Sequence, residues 1–223
     1  MSCLAKNVIV FGATGQIGKL VLKELASSNL NPTAVVRSTE QEKSISSISS
    51  QITSAKLALD NASVKDIARI IEGHDAVVFT AGSAGKNLLQ VDLDGAVKTF
   101  EAARIARVRR LVLISALHAD DREYFSKSPL HNYYIAKHYA DRILINEFQD
   151  DLDFTILKPT TLTDNEGTGK ISIIGAKEGL ETSIDRIDVA RVIVQILNNA
   201  QTFGKSYNII QGDSDIKDPT IFK

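Results

Sequence analysis

The fold is decided by the stretch Asn7-Val8-Ile9-Val10-Phe11-Gly12-Ala13-Thr14-Gly15-Gln16-Ile17-Gly18. Its first five residues form a β-branched, apolar run that stops at a glycine, which is typical of a buried strand. Apolar residues then recur at helical spacing, at Ile17, Leu20, Val21 and Leu25. The stretch therefore predicts a strand, a glycine turn and a helix in direct succession.

The same alternation repeats down the chain. The sequence predicts further strands at Thr33–Arg37, Ala55–Leu59, Ala76–Thr80 and Leu111–Ser115, with helices between them at residues 45–52, 64–71 and 89–100. The last two strands are wholly apolar, as expected for sheet positions that are covered on both faces. Because parallel strands need crossover connections, this series predicts an α/β fold with a doubly wound parallel sheet.

The chain changes character after Ser115. A polar, irregular segment over residues 120–130 precedes predicted elements that we place as a helix at 132–148, a strand at 154–157, a polar stretch at 159–174, a helix at 185–197 and a strand at 206–210. The length of 223 residues suits one α/β domain. We interpret residues 1–223 as a single domain whose C-terminal portion, about 116–183, contributes the substrate pocket.

Composition excludes several classes of protein. The 26 basic and 27 acidic residues give a net charge of −1, which provides no excess positive field for nucleic acid or an anionic membrane. Cys3 is the single cysteine, and no Cys/His group has the spacing of zinc ligands. No run is long enough for a signal peptide or a membrane span. We expect a cytoplasmic protein with a small-molecule substrate and no metal site; the sequence carries no signal of oligomeric state.

The glycine turn is suited to a dinucleotide pyrophosphate. Glycines lie at relative positions 1, 4 and 7, where they let the backbone approach phosphates while the free N–H groups of the helix start attract negative charge. The alternative is a tight turn without a ligand. The placement after the first strand favours a cofactor site formed by Gly12, Ala13, Thr14, Gly15, Gln16, Ile17 and Gly18.

The end of the second strand indicates which dinucleotide binds. Folds of this kind present a carboxylate there to the 2′-hydroxyl of NAD, or a cation to the 2′-phosphate of NADP. This sequence has Arg37 followed by Ser38, so NADP(H) is favoured over NAD(H), unless Arg37 is simply a solvated side chain. Asp60, after the third strand, is placed to meet the adenine, or alternatively to cap the helix that begins near Ser63.

Two tyrosine pairs share the helix predicted at 132–148. On a helical wheel the buried arc comprises Ile135, Ala136, Tyr139, Ala140, Ile143 and Leu144. Tyr133 and Lys137 fall at the edge of that arc, whereas Tyr134 and His138 fall on the outward side. Tyr133 and Lys137 are therefore the pair that can border both the core and a cleft.

A tyrosine that works near neutral pH needs a pKa about 3 below its usual value of about 10, which corresponds to roughly 4 kcal/mol. The ammonium of Lys137 has the right charge for this, and Lys137 could also hold ribose hydroxyls, while Ser115 could hydrogen-bond a substrate carbonyl. The alternative is that Tyr133 packs at the core edge and Lys137 is a solvated charge. We assign no catalytic role to the scattered histidines His74, His118 and His131.

Together these motifs resemble atypical short-chain dehydrogenase/reductases, specifically the small NAD(P)-binding branch that includes NmrA-like and flavin/biliverdin-reductase-like proteins. The resemblance covers nearly the whole chain. It is carried by Gly12–Gly18, Tyr133…Lys137, Asp153-Phe154-Thr155-Ile156-Leu157-Lys158-Pro159, Leu162-Thr163-Asp164…Gly167-Thr168-Gly169 and Ile184-Asp185-Arg186-Ile187-Asp188-Val189-Ala190.

The resemblance implies a Rossmann fold and assigns further residues. It implies ribose contacts along Thr80, Ala81 and Gly82, a nicotinamide segment at Pro159, Thr160, Thr161 and Leu162, and a catalytic set of Ser115, Tyr133 and Lys137. Two departures stand out. Lys158 replaces the usual arginine before the proline, and the interval from Ser115 to Tyr133 is longer than in the standard dehydrogenases.

The leading functional hypothesis is an NADP(H)-dependent oxidoreductase that transfers hydride to a small carbonyl, quinone or flavin-like acceptor. A nucleotide-sugar epimerase or dehydratase shares the fold, but only about 65 residues follow the strand at 154–157, few of them positive or aromatic, to enclose a diphosphate sugar. A dinucleotide-sensing regulator would use the same pocket without turnover.

Overall fold

The first half of the chain alternates strands with helices in the computed structural model, which describes residues 4–175 and 182–222. The elements are β1 (Asn7–Phe11), α1 (Gln16–Ser27), β2 (Asn31–Val36), α2 (Thr39–Ser46), β3 (Thr53–Lys56), α3 (Val64–Ile71), β4 (Ala76–Phe79), a π-helical turn (Leu88–Leu93), α4 (Asp94–Ile105) and β5 (Arg110–Ile114).

The second half adds two long helices and several short strands. The elements are α5 (Arg122–Ser126), α6 (His131–Glu147), β6 (Asp153–Pro159), β7 (Thr161–Thr163), β8 (Lys170–Ile174), β9 (Ser183–Asp185), α7 (Arg186–Ile196), β10 (Lys205–Gln211) and β11 (Ser214–Asp215), with 3₁₀ turns at Ala200–Thr202 and Pro219–Ile221.

The main sheet confirms the predicted α/β fold. Its nine strands follow the order β11-β8-β10-β6-β5-β4-β1-β2-β3, and the neighbours from β10 to β3 are all parallel. The strand order reverses at β1, which pairs with β2 on one side and β4 on the other. In such sheets ligands bind outside the carboxyl ends of the strands at this reversal.

Apolar side chains fill both faces of the sheet. Val8 and Val10 of β1 join a core with α1 and α7, whereas Ile9 and Phe11 join a second core with α3, α4 and α6. This division follows from the two-residue period of a strand, which sends successive side chains to opposite faces. Both layers are therefore built around the same central strand.

Several predicted boundaries are wrong. The helix expected over residues 45–52 is α2, which begins six residues earlier because Ser38 caps it by accepting a hydrogen bond from the Gln41 amide at 3.3 Å. The strand expected at 55–59 is β3, two residues earlier. The polar stretch 159–174 contains β7 and β8, and β8 lies antiparallel between β10 and β11.

Parts of two expectations lie outside the described residues, namely Cys3 and residues 176–181 of the C-terminal portion assigned to the substrate pocket. Within residues 4–175 and 182–222 no helix is long and apolar enough to cross a membrane. The same residues include no cluster of three His, Cys, Asp or Glu side chains that could hold a metal ion.

Candidate functional site

The glycine turn between β1 and α1 forms a close-packed cradle. Gly12 has a φ of +78°, and a β-carbon there would lie 2.5 Å from the backbone nitrogen of Ala81. A β-carbon at Gly18 would collide with the carbonyl oxygen of Gly12, whose oxygen also accepts a hydrogen bond from the Gly15 amide at 2.9 Å. Because Gly15 precedes α1 and has no side chain to cap it, the first amides of the helix are available to an anion.

A cavity of about 400 Å³ runs from this turn toward the end of β2. Arg37 is exposed at its edge, and Asp60 also lines it, together with Gly12, Thr14 and Gly15. We call this space the adenosine cavity.

The hydrogen bonds at the helix starts show what two polar residues near the adenosine cavity do. Asp60 is not the cap of α3, because that place is taken by Ser63, which forms a reciprocal capping box with Asp66. The hydroxyl of Ser38 is engaged in capping α2, so Ser38 serves chiefly to orient the chain beside Arg37.

A second cavity of about 440 Å³ continues from the first, and both are lined by Thr80, Ala81 and Gly82. We call it the acceptor cavity. The structure brings the predicted residues Ser115, Tyr133 and Lys137 together around it, and the segment Pro159–Leu162 also lines it. The long interval between Ser115 and Tyr133 is taken up by α5, which folds over this edge of the sheet.

The glycine-turn residues divide between several roles. Ile17 faces the acceptor cavity, whereas Ala13 is buried within the turn. The Gln16 side chain reaches Asp164, with 3.5 Å between Nε2 and Oδ2, and Asp164 in turn pairs with Arg186 at 2.8 Å. These contacts tie the turn to the loop after β7.

Ser115 directs its proton away from the acceptor cavity. It follows β5 directly, is 2% exposed, and its hydroxyl donates to Oδ2 of Asp141 at 2.8 Å. The hydrogen bond from Ser115 to a substrate carbonyl stays a prediction, and it requires the hydroxyl to turn away from Asp141, which accepts its hydrogen here.

Asp141 is the centre of a buried charge cluster that was not predicted from the sequence. Its Oδ2 lies 3.4 Å from Nζ of Lys158, which is also 3.5 Å from Oδ2 of Asp120. Burial raises the pKa of Asp141 to about 6, against the opposing effects of the Lys158 charge, the Ser115 hydrogen bond and the Lys137 charge. The available signal was the regular spacing of Tyr133, Lys137 and Asp141 at intervals of four on one helix.

Tyr133 holds its proton more tightly than we expected. Burial, followed by the charges of Asp92 and Asp141, raises the pKa of Tyr133 above its ordinary value, so the expected lowering is wrong for the protein without its cofactor. Lys137 does not act on the phenol as predicted, since its Nζ donates to the Ile114 carbonyl at 3.0 Å and lies 5.8 Å from the Tyr133 ring centre. Burial also lowers the pKa of Lys137, opposed by Asp92 and Asp141.

The face that α6 buries differs from the predicted one. Tyr139 is 40% exposed, whereas His138 is buried, with its Nδ1 2.7 Å from the Ala119 carbonyl oxygen. The wheel used apolar residues alone, but this helix turns Lys137 and Asp141 inward toward the charge cluster. The edge position of Tyr133 and the inward position of Lys137 remain compatible with the cleft.

Asp92 is a second buried acid that was not predicted from the sequence. It lies in the π-helical turn, is 1% exposed, and accepts a hydrogen bond from the Ser83 amide at 2.9 Å through Oδ2. Its Oδ1 has no hydrogen-bond partner within residues 4–175 and 182–222, and the side chain lines the acceptor cavity. An aspartate within the apolar run Leu88-Leu89-Gln90-Val91-Asp92-Leu93 was the available signal.

One side of the acceptor cavity is an aromatic wall formed by His118, Tyr124, Tyr133 and Tyr134. The ring of Tyr134 lies edge to face with Tyr124 at 5.8 Å and with Tyr133 at 5.6 Å. The wheel placed Tyr134 on the outward side, but it is half-buried because α5 brings Tyr124 against it. Because neighbouring rings lie edge to face, the wall is a cluster of differently oriented rings rather than one flat surface.

Known proteins resemble this chain over almost its whole length. A family model described as NAD(P)H-binding matches residues 12–200. The chain is 38% identical to the uncharacterized sugar epimerase YhfK of Bacillus subtilis, over 94% of this chain and 96% of that protein. It is 36% identical to the UPF0659 protein YMR090W of Saccharomyces cerevisiae, over 95% and 96%. The crystal structure of the oxidoreductase ylbE from Lactococcus lactis superposes with a TM-score of 0.86 at 32% identity, covering 97% of this chain and 94% of that one.

Proposed function

Because the chain belongs to the NAD(P)H-binding family of atypical short-chain dehydrogenase/reductase-like Rossmann proteins, we propose that it is an NADPH-dependent reductase of a small carbonyl, quinone or flavin-like acceptor. One observation carries the proposal. The adenosine cavity and the acceptor cavity meet at Thr80–Gly82, so that a dinucleotide lying along both reaches from Arg37 to Tyr133. The similarity to ylbE, which is described as an oxidoreductase, supports the same assignment.

The preference for NADPH rests on the charges around the adenosine cavity. Arg37 presents an exposed guanidinium at the end of β2, where a 2′-phosphate would lie. Asp60 is the one carboxylate among the described residues that line this cavity, and it follows β3 rather than β2. No lining carboxylate in the described chain is thus placed to receive the 2′-hydroxyl of NADH.

The glycine turn between β1 and α1 fits the pyrophosphate of a dinucleotide. Gly12 and Gly18 leave no room for β-carbons, and the start of α1 offers unpaired amides to the pyrophosphate. When bound, NADPH supplies a hydride, so that NADPH, acceptor and one proton give NADP⁺ and the two-electron-reduced acceptor.

In this proposal the protein supplies the proton for the acceptor and the side chains that position the cofactor and the acceptor. The phenol of Tyr133 stays protonated at neutral pH. Because the alkoxide formed by hydride addition to a carbonyl is a stronger base than a phenolate, we assign Tyr133 as the proton donor even with its raised pKa, after which solvent restores its proton. Lys137 has ammonium protons beyond the one donated to Ile114, and we assign these to the ribose hydroxyls. We assign the acceptor pocket mainly to the described part of the portion 116–183, since the loop after β5, α5, α6 and Pro159–Leu162 all contribute lining residues.

The test is NADPH oxidation with an aliphatic diketone, menadione and FMN, using wild type, Tyr133→Phe and a control. Tyr207→Phe is the matched control, because Tyr207 is a buried tyrosine that packs on Phe222 away from both cavities. We expect Tyr133→Phe to lower kcat for carbonyl reduction by about 100-fold or more with little change in the KM for NADPH, while Tyr207→Phe stays near wild type.

Two outcomes contradict the proposal. If the wild type binds NADPH but does not oxidise it with any of the three acceptors, the protein is better explained as a dinucleotide-sensing regulator than as a reductase. If a nucleotide sugar is isomerised without net loss of NADPH absorbance, the epimerase replaces it, in agreement with the name that YhfK carries.

A further inference from the structure

A row of polar side chains connects the protein surface with the acceptor cavity. At its outer end the side chain of Asp120 is 51% exposed, and its Oδ2 lies 3.5 Å from Nζ of Lys158. The same Nζ lies 3.4 Å from Oδ2 of Asp141, and that oxygen accepts the hydrogen of Ser115 at 2.8 Å. Ser115 in turn lines the acceptor cavity. Polar contacts of 3.5 Å or less therefore lead from solvent to the cavity.

The inner members of this row are buried. The side chains of Lys158 and Asp141 are 6% and 5% exposed, and Ser115 is also buried. A buried ion pair is often no more stabilising than apolar side chains of the same size, because both charges lose their contact with water. The placement of Lys158 and Asp141 behind the acceptor cavity therefore points to a role besides stability.

Asp141 is suited to hold a proton as well as a negative charge. Its Oδ1 has no hydrogen-bond partner within residues 4–175 and 182–222, so donors stabilise only one of its two oxygens. Burial outweighs the facing charges of Lys158 and Lys137 and raises the pKa of Asp141 to about 6. The protonated carboxyl group is therefore accessible at neutral pH.

The chemistry proposed for Tyr133 leaves a base that must regain a proton. Once the acceptor oxygen has taken the phenolic proton, Tyr133 is a phenolate, and burial together with the charges of Asp92 and Asp141 raises the pKa of this group. The phenolate therefore draws a proton strongly. Bound product and cofactor displace water from such a cavity, so a route through the protein can serve this need.

We propose that Lys158, Asp141 and Ser115 form a proton relay from solvent to the acceptor cavity. The relay restores the proton that Tyr133 gives to the acceptor. This inference rests on the proposed reductase function and adds a step to it. Lys158 and Asp141 act through Ser115 and do not touch the acceptor.

Each transfer in the relay breaks one bond to hydrogen and forms another. An N–H bond of the Lys158 ammonium breaks as Oδ2 of Asp141 gains the proton. The Ser115 hydroxyl then turns toward the cavity, accepts the carboxyl proton at Oγ and releases its own hydrogen, which ends on the phenolate oxygen of Tyr133. Lys158 regains a proton from water beside Asp120. One proton has then moved inward, and no electrons have been exchanged.

The test separates the first turnover from the later ones. Rapid mixing of the NADPH-loaded protein with an aliphatic diketone follows the first oxidation of NADPH, and steady-state assays follow the later turnovers. Lys158→Arg keeps the positive charge beside Asp141, but a guanidinium does not release a proton in proteins. Lys98→Arg is the matched control, because Lys98 is largely buried, pairs with Asp94 and lies outside the linings of both cavities.

Asp141→Asn is a second variant, which keeps the result interpretable if the larger guanidinium disturbs the fold. Its amide has the shape of the carboxyl group but does not take a proton from Lys158. The same assays are repeated in deuterium oxide, which slows steps that move a proton. Thermal unfolding and the Kd for NADPH show whether each variant keeps its structure.

We expect the first turnover of both variants to stay near the wild-type rate, while their later turnovers slow by about tenfold or more. A positioned proton donor contributes about 100-fold or more, and direct access of solvent offsets part of its loss. Deuterium oxide should slow the later turnovers of the variants more than the first one. The Tm and NADPH affinity of Lys158→Arg should stay near the wild-type values, and Lys98→Arg should match the wild type in every readout.

Three outcomes overturn the relay. Later turnovers at the wild-type rate in both variants mean that Tyr133 regains its proton directly from solvent, and the reductase proposal then stands alone. Equal slowing of the first and later turnovers means that Lys158 and Asp141 only hold the site in shape. The absence of a first turnover in the wild type refutes the reductase, and the relay with it.

Discussion

The proposed preference for NADPH depends on a single residue, Arg37. Arg37 stands exposed at the end of β2, with its backbone amide donating to the side chain of Gln41 at 2.7 Å, so that the chain is held while the guanidinium is free to meet a phosphate. The glycines of the turn act differently, because they bind through the absence of a side chain. The proposal therefore assigns specificity and affinity for the cofactor to different residues of one cavity.

We predict that Arg37→Glu weakens NADPH binding by about tenfold to 100-fold and leaves NADH binding nearly unchanged. The carboxylate replaces attraction of the 2′-phosphate with repulsion, and a hydrogen bond to a charged group contributes about 1.5–3 kcal/mol. Titration of both cofactors measures the effect. Lys43→Glu on α2 changes the net charge equally from a position outside the cavity, and it should leave both affinities unchanged. Equal losses for NADPH and NADH in Arg37→Glu would refute the NADP assignment.

Residues of the candidate site could be predicted where backbone geometry demands them. Gly12 and Gly18 follow from the turn, and Tyr133 and Lys137 from their spacing on one helix. Their electrostatics could not be predicted, because the pKa of Tyr133 depends on Asp92 and Asp141, which meet it only in the folded chain. The catalytic assignment itself stays a prediction until the variants are measured.

At the scale of elements, α6 departs from an ordinary amphipathic helix. It turns Lys137 and Asp141 toward the core, where Lys158 of β6 meets the carboxylate. A polar face can be buried here because each charge has a partner from a neighbouring element. Lys158, which stands where the family usually has arginine, is one of these partners.

This cluster gives the stability of the protein a pH dependence. The pKa of Asp141 is about 6 in the folded protein against about 3.9 in an unfolded chain, so its contribution to stability is complete below about pH 4 and is lost as the pH rises toward 6. The Asp141→Asn variant has no titrating carboxyl group at this position, so its stability lacks this pH dependence. Its destabilisation relative to wild type should therefore shrink by about 3 kcal/mol between roughly pH 4 and pH 7.

Urea unfolding of the two proteins across that range measures the difference. Asp151→Asn, at an exposed carboxylate paired with Arg104, is the control and should show no comparable trend. A constant difference between wild type and Asp141→Asn at every pH would show that the carboxylate titrates normally.

Element boundaries were predictable only where local signals were strong. The strands β1, β4 and β5 follow from unbroken apolar runs, and α3 from its periodic residues. The start of α2 was missed because its apolar residues are sparse and the Ser38 cap determines where the helix begins. Apolar runs and helical periodicity therefore predict which residues are buried better than they predict where a helix is capped.

At the scale of the whole molecule, the doubly wound sheet was predictable because each strand and crossover helix is encoded locally. The family resemblance implied the same fold, and it is confirmed by the family model and the relatives that cover the chain. The insertion of β8 between β10 and β11, and the pairing of β7 with β9, could not be foreseen. β7, β9 and β11 have only two or three residues each, and the strands that pair here are separated along the chain by other elements.

The contrast between an exposed Arg37 and a buried charge cluster has a consequence for ionic strength. Dissolved ions screen a solvent-facing charge over roughly 10 Å at 0.1 M salt and roughly 3 Å at 1 M, but they hardly reach Lys137, Asp141 and Lys158, each less than a tenth exposed. Raising sodium chloride from about 0.1 to about 1 M should therefore weaken NADPH binding severalfold while kcat at saturating cofactor holds steady. An equal decline in NADPH affinity and in kcat would show that solvent ions also reach the buried charge cluster. Salt thus separates the recognition of the cofactor from the chemistry performed on it.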